Sequence, residues 1–141
     1  MEPTPLRTLV ETVRRERRGV LATTAADGAP EAALVGIAVL DDGTLIVNAP
    51  STARKVAHLR VNPRAALVID AGDVRSLQVE GRAQLLEGDD RARLGAAYDA
   101  QLPGSRSLAE GFILIMIRPE WMRDYDVSRE PRAVEATFAA D

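Results

Sequence analysis

The sequence predicts a mainly β domain of the α+β class: a small antiparallel barrel of six or seven strands with about three covering helices. Three observations predict it. Short apolar runs of strand length recur along the chain, and two pairs of them are joined by Asp-Gly turns, Asp27-Gly28 and Asp42-Gly43. Three stretches of helical spacing are tucked between or beside those runs. The whole chain, 141 residues, is the size of one domain, since single cores usually span about 100 to 200 residues. A single domain over 1–141 is expected, with a loosely held polar tail at 128–141.

Taken in order, Pro5 to Arg18 carries Leu6, Leu9, Val10 and Val13 at helical spacing with arginines and glutamates opposite, an amphipathic helix that should stop at Gly19. Val20 to Thr24 is short and β-compatible, Ala32 to Leu40 is a second strand, and Thr44 to Val47 completes a three-stranded meander. Pro50-Ser51-Thr52 interrupts it. Thr52 to Arg60 resumes helical spacing through Val56 and Leu59, with Ser51 or Thr52 suited to cap its first turn, and Asn62-Pro63 ends it. Ala65 to Asp70 and Ser76 to Leu86 are further strands. In the latter, Leu77, Val79 and Gly81 share one face, and Ser76, Gln78 and Glu80 the other. Asp89 to Ala100 is helical with Leu94, Ala97 and Tyr98 inward. Phe112 to Ile117 is apolar enough for a central strand, and Pro119 is expected to bend the chain into a separate last strand, Trp121 to Val127, with Trp121, Arg123 and Tyr125 on one face.

Composition narrows the function. The absence of cysteine removes disulfides, thiolate metal sites and thiol nucleophiles, so redox chemistry has to come from a cofactor. With 18 basic against 21 acidic residues the chain lacks the positive field used to bind nucleic acid. No stretch approaches the ~20 apolar residues that cross a bilayer, and Met1 to Arg18 is too charged for a secretory signal, which together point to a cytoplasmic protein without a membrane partner. The single histidine, His58, makes imidazole-based metal centres and Ser-His-Asp triads poor readings, and it is expected on a helix surface. Asp41, Asp42, Asp70 and Asp73 fall at turns, where solvated carboxylates are ordinary, so no catalytic side chain and no metal ligand is assigned.

The strongest local feature is Ser51-Thr52-Ala53-Arg54-Lys55, where a strand ends and a helix begins. Helix N-termini offer free amide hydrogens and about half a unit of positive charge. Two hydroxyls, a planar guanidinium and the chain's only lysine at that point make a phosphate cradle. Spacing alone equally describes a capped helix with solvated basic residues.

The run from Asn48 to Ala65, NAPSTARKVAHLRVNPRA, resembles the flavin-phosphate segment of the pyridoxamine 5′-phosphate oxidase-like, split β-barrel superfamily. Gly19 to Thr23 with Asp27-Gly28-Ala29-Pro30 is similar to that family's opening hairpin, and Val79 to Ala83 to its mid-barrel strand. The resemblance covers roughly 15–127 and implies a homodimer with two flavin sites at the subunit interface. It implies that Arg54 and Lys55 hold the cofactor phosphate with Ser51 and Thr52, and that Asn48 and Ala49 border the ring system through their backbone. Ser76, Gln78 and Trp121 would reach the cofactor from the neighbouring subunit. The chain also departs from the family. Ala33 and Ala38 stand where the true oxidases place an arginine and a lysine, and Tyr98 to Ser107 lacks their arginine-rich substrate motif, which argues against vitamin B6 as substrate.

The function implied is an FMN-dependent oxidoreductase that transfers hydride to or from a small organic substrate. A related branch binds the deazaflavin coenzyme factor 420. The Arg54-Lys55 pair resembles the FMN version, whereas 23 alanines and the arginine bias suit a GC-rich genome, where the deazaflavin is more common. A non-catalytic flavin-binding module is the third reading, favoured by the missing substrate arginines.

Overall fold

The computed structural model describes residues 4–139. The chain runs α1 (Pro5–Glu16), β1 (Arg18–Thr24), β2 (Pro30–Val39), β3 (Leu45–Pro50), α2 (Arg54–Val61), β4 (Arg64–Gly72), β5 (Arg75–Leu86), α3 (Gly88–Gln101), β6 (Phe112–Asp126) and β7 (Ala133–Thr137). All strand pairings are antiparallel, in the order β3-β2-β1-β4-β5-β6-β7, and a further β3–β6 pairing closes the first six strands into a barrel. Closure removes the sheet edges that β3 and β6 would otherwise expose. The architecture is the expected split barrel with three helices.

Alternation along the strands builds two apolar layers. Leu45, Val47 and Ala49 of β3 and Ile113, Ile115 and Ile117 of β6 point into the barrel. Their neighbours Ile46, Leu114 and Met116 pack beneath Leu94 and Tyr98 of α3 on the outside. Burial on both faces explains the unbroken apolar composition of Phe112 to Ile117. Leu9 and Val13 of α1 and Val56 and Leu59 of α2 join the interior cluster, so both helices close on the barrel core.

Both Asp-Gly turns form as expected, with Gly28 and Gly43 at φ near 90°, a conformation that glycine adopts without steric cost. Elsewhere the structure corrects the sequence reading. Gly19 does not end α1: Arg17 takes the left-handed position (φ 64°) and Gly19 lies inside β1. A Cβ on Gly19 would come within 2.6 Å of the Val68 carbonyl oxygen, so close β1–β4 packing is what requires glycine there. Pro119 does not divide the last strands. β6 continues through it because a bulge opposite Gly81 absorbs the missing N–H, and a Cβ on Gly81 would lie 2.2 Å from the Arg118 carbonyl oxygen. With β5 along one edge, the one long strand serves two more partners on the other, Phe112–Ile117 closing on β3 and Trp121–Tyr125 pairing with β7. The segment expected as a loose tail therefore contributes a strand, which escapes the apolar pattern because it is an exposed edge.

Candidate functional site

α2 begins at Arg54, with Ala53 as its N-cap residue and no side-chain cap hydrogen bond. Neither Ser51 nor Thr52 caps it. Instead Pro50 to Ala53 forms a turn, in which the Ala53 N–H donates to the Pro50 carbonyl (3.0 Å) and the Ser51 N–H to that of Gly111 (2.8 Å). Both hydroxyl residues stay exposed one turn ahead of a helix end that no side chain caps, a combination suited to an anion. Arg54 is exposed and Lys55 partly so.

Arg54 is tethered. Its Nε lies 3.4 Å from Glu31 Oε2 at the start of β2, an interaction that leaves the terminal guanidinium nitrogens facing outward for a second acid group. Glu31 Oε2 also sits 3.7 Å from His58 Nδ1, and His58 Nδ1 shares a 3.0 Å hydrogen bond with Thr23 Oγ1. His58 is therefore buried, 9% exposed, rather than on the surface. The β1–β2 hairpin covers one side of α2 and turns its imidazole inward. The cluster Thr23–Glu31–His58 had no signal in the sequence, since its members come from three elements 8 and 27 residues apart.

Beside this junction the barrel splits. The β2–β3 ladder holds only Ile37–Val47, Ala38–Ile46 and Val39–Leu45, and stops before Gly36 and Asn48. Tyr98 of α3 fills the next place: its hydroxyl donates to the Gly36 carbonyl at 3.4 Å and lies toward the Asn48 main-chain N–H. Burial pushes the Tyr98 phenol above its ordinary range, against the opposing pull of that N–H, so it stays protonated. A Cβ on Gly36 would lie 2.9 Å from the Tyr98 oxygen, so this strand position requires glycine. Asn48 faces the outer side, as Ile46 does, with Oδ1 buried and without a hydrogen-bond partner, while the Ala49 side chain turns into the barrel.

The structure thus brings Asn48, Ala49, Ser51, Thr52, Arg54 and Lys55 along one strand-to-helix path. Ser76, Gln78 and Trp121 lie elsewhere, on β5 and β6, each lining a different surface hollow, and the Trp121 indole donates to Glu135 of β7 at 3.2 Å. Ala38 is fully buried beneath α3. The turn carboxylates have structural partners: Asp41 takes Arg14 at 2.8 Å, Asp42 the Thr44 N–H at 3.0 Å and Asp70 the Gly72 N–H at 3.2 Å. That N–H, outweighing burial, holds the Asp42 carboxyl below the usual range.

This ordered barrel, its split and the junction agree with a sequence match. The profile described as pyridoxamine 5′-phosphate oxidase matches residues 6–126. The chain belongs to that family. No functionally curated protein matches it. Among solved structures it is similar to a heme binding protein from Mycobacterium smegmatis, at 22% identity and a TM-score of 0.81, covering 97% of this chain and 59% of that one. It is also similar to a pyridoxamine 5′-phosphate oxidase-related, FMN binding protein from Nostoc punctiforme, at 15% identity and a TM-score of 0.69, covering 99% of this chain and 100% of that one. A factor 420 reductase is similar at 22% identity and a TM-score of 0.65, covering 86% of this chain and 98% of that one. These likenesses establish the split-barrel fold. The chain spans about three-fifths of the heme binding protein's length. Among the described residues no helix is long and apolar enough to cross a membrane.

Proposed function

We propose that the chain is a homodimeric oxidoreductase that binds FMN, or the deazaflavin factor 420, at the split beside α2 and passes hydride to or from a small organic substrate. The observation that carries this reading is an uncapped helix N-terminus bearing Arg54 and Lys55 next to a strand pair that stops pairing at Gly36 and Asn48. The residues fit the group. Free N–H donors and two cations suit a phosphate, and the unpartnered Asn48 amide oxygen suits a ring N–H once the side chain turns toward it.

The bound cofactor supplies the hydride chemistry. The protein's part is to fix the phosphate through Arg54 and Lys55, to orient the ring along β3 and to keep water out. The outer face of β1, β2 and β4 supports a second copy as the cover: Leu34 is 66% and Val68 39% exposed, and Val20, Ala22 and Ala66 lie on the same face. Exposed apolar residues grouped in this way mark an interaction surface. Ser76, Gln78 and Trp121 then belong to the neighbouring subunit's site, which accounts for their distance from Arg54 along the sheet. The arginine-rich substrate motif is missing from Tyr98 to Ser107, so vitamin B6 is not the proposed substrate; a cytoplasmic location is part of the proposal.

Calorimetric titration with FMN and with the deazaflavin tests the reading. Affinity for one of them is expected, with a dimer by light scattering. Failure to bind either refutes it. Hemin belongs in the same panel because one structural neighbour is a heme binding protein, but His58, the one histidine, is held inside by Thr23 and Glu31 and offers no exposed imidazole. Anaerobic reduction of the bound cofactor with a substrate panel separates an enzyme from a binding module.

A further inference from the structure

A trough of about 510 Å³ lies on the outer side of β2, past the point where β2 and β3 part. Gly36 lies at its base, beneath the Tyr98 hydroxyl and the Leu102 side chain. Directly across the β1–β2 ladder from Gly36 is Arg18, and on the other flank is the Tyr98 hydroxyl. Leu34, Leu102 and Pro103 add apolar surface, and the volume falls in the range of small-ligand sites, about 300–1,000 Å³.

The rim holds two arginines and one carboxylate. Glu16 is already taken by Arg15 at 2.8 Å. Arg17 and Arg18 are exposed, and their guanidinium groups make no hydrogen bond or ion pair with the described residues, whereas Arg14 and Arg15, one turn earlier, each hold an acid. Arg17 is in addition the one non-glycine among the described residues with positive φ (64°). That helix-ending position favours glycine, and a side chain kept in a disfavoured conformation points to a use for the side chain.

We propose that this trough is the substrate subsite of the flavin site and that Arg17 and Arg18 select an anionic substrate, a small organic molecule carrying a carboxylate. The assignment rests on the flavin reading for its role in hydride transfer, but its binding chemistry stands on the trough itself. The planar fork of a guanidinium matches a carboxylate bidentately, and Leu102 and Pro103 offer apolar surface to the body of the molecule.

The test titrates benzoate, and benzamide as its neutral counterpart, into the cofactor-loaded protein, following the cofactor's absorbance and the heat of binding. Benzoate is expected to bind at least tenfold more tightly than benzamide. Arg18→Gln and Arg17→Gly should each weaken benzoate about tenfold and leave cofactor affinity unchanged. Arg17→Gly should melt no lower than the parent, because glycine relieves the left-handed position, so its loss of benzoate cannot be ascribed to unfolding. Equal binding of the two probes, benzoate affinity unchanged in both variants, or benzoate displacing the cofactor each overturns the proposal while leaving the flavin reading intact. If neither cofactor binds, the flavin reading fails, and the same titrations on the unloaded protein decide the carboxylate site: binding that depends on Arg18 supports it, and its absence overturns it.

Discussion

Replacing Arg54 and Lys55 together by alanine removes the two cations at the start of α2 and should leave the barrel standing. The Arg54 side chain is 78% exposed and its one partner, Glu31, is 3.4 Å away, so the loss of that pair costs the fold less than about 1 kcal/mol. Binding should suffer more. A hydrogen bond to a charged group contributes about 1.5–3 kcal/mol, and partial exposure places each of the two at the lower end, so together they contribute about 3 kcal/mol. At about 1.4 kcal/mol per tenfold this is a loss of about 150-fold in cofactor affinity. Calorimetry with FMN and with riboflavin, which lacks the phosphate, isolates the contact: FMN affinity should fall and riboflavin affinity should not. The parent's FMN affinity should also drop between 0.1 and 1 M salt, as the Debye length shrinks from about 10 to 3 Å, with the double variant nearly insensitive. An unchanged FMN affinity, or an equal loss for riboflavin, would show that the phosphate sits elsewhere.

Asp124 accepts two hydrogen bonds from Arg75 (2.9 and 2.8 Å) and one from Arg129 (3.3 Å), so Asp124→Asn should cost about 2–3 kcal/mol in urea unfolding, and a loss under 0.5 kcal/mol would deny that cluster a role in stability. Burial raises the Asp124 carboxyl, but the Arg75 and Arg129 guanidinium groups outweigh it and hold it below its ordinary value. Its stabilising contribution is thus complete above the unfolded value near pH 4 and disappears as pH falls through the folded one, which melting curves from pH 7 to 2 should show for the parent and not for the asparagine variant. Leu34→Glu, on the exposed face of β2, should turn a dimer into monomers by light scattering with unchanged circular dichroism, and a persistent dimer would place the interface elsewhere. Tyr98→Phe strips the bridge between Gly36 and Asn48, so amide exchange at Asn48 should accelerate at least tenfold. Unchanged protection would mean that the strands are held apart without the hydroxyl.

Much of the fold was legible because its signals are local. Two Asp-Gly turns placed the meander, period-two alternation gave the faces of β5, and Asn62-Pro63 marked the end of α2, where the Asn62 side chain accepts the Arg64 N–H at 3.1 Å. What escaped was non-local or turned on a neighbour's shape. Pro119 reads as a break until Gly81 is known to lie opposite and to yield room for the bulge. β7 is polar because it pairs along one edge only. The junction at Ser51 to Lys55 was visible from residue types, yet the cap expected there is absent because the hydroxyl residues belong to a preceding turn. His58 looked solvent-facing on a short helix, and only the hairpin that brings Thr23 and Glu31 over it makes it an interior group.

The departures from locally optimal structure are unevenly placed, and their placement is an argument for where the function resides. α2 lacks a side-chain cap, although serine and threonine stand within three residues of its first turn. Gly36 leaves β2 without a side chain where the Tyr98 hydroxyl sits against it, and Arg17 holds a conformation better suited to glycine. Of the four buried side-chain polar atoms without a hydrogen-bond partner among the described residues, Glu31 Oε2, which has the ion pair to Arg54 instead, and Asn48 Oδ1 lie on the two strands that part. Each feature costs stability on its own. All of them flank β2 between Glu31 and Gly36, a span of about 16 Å at 3.3 Å per residue. A barrel selected only to fold would cap the helix, extend the β2–β3 ladder and pair the stray acceptors. Leaving these donors and acceptors open along one strand is the pattern expected when a ligand completes them.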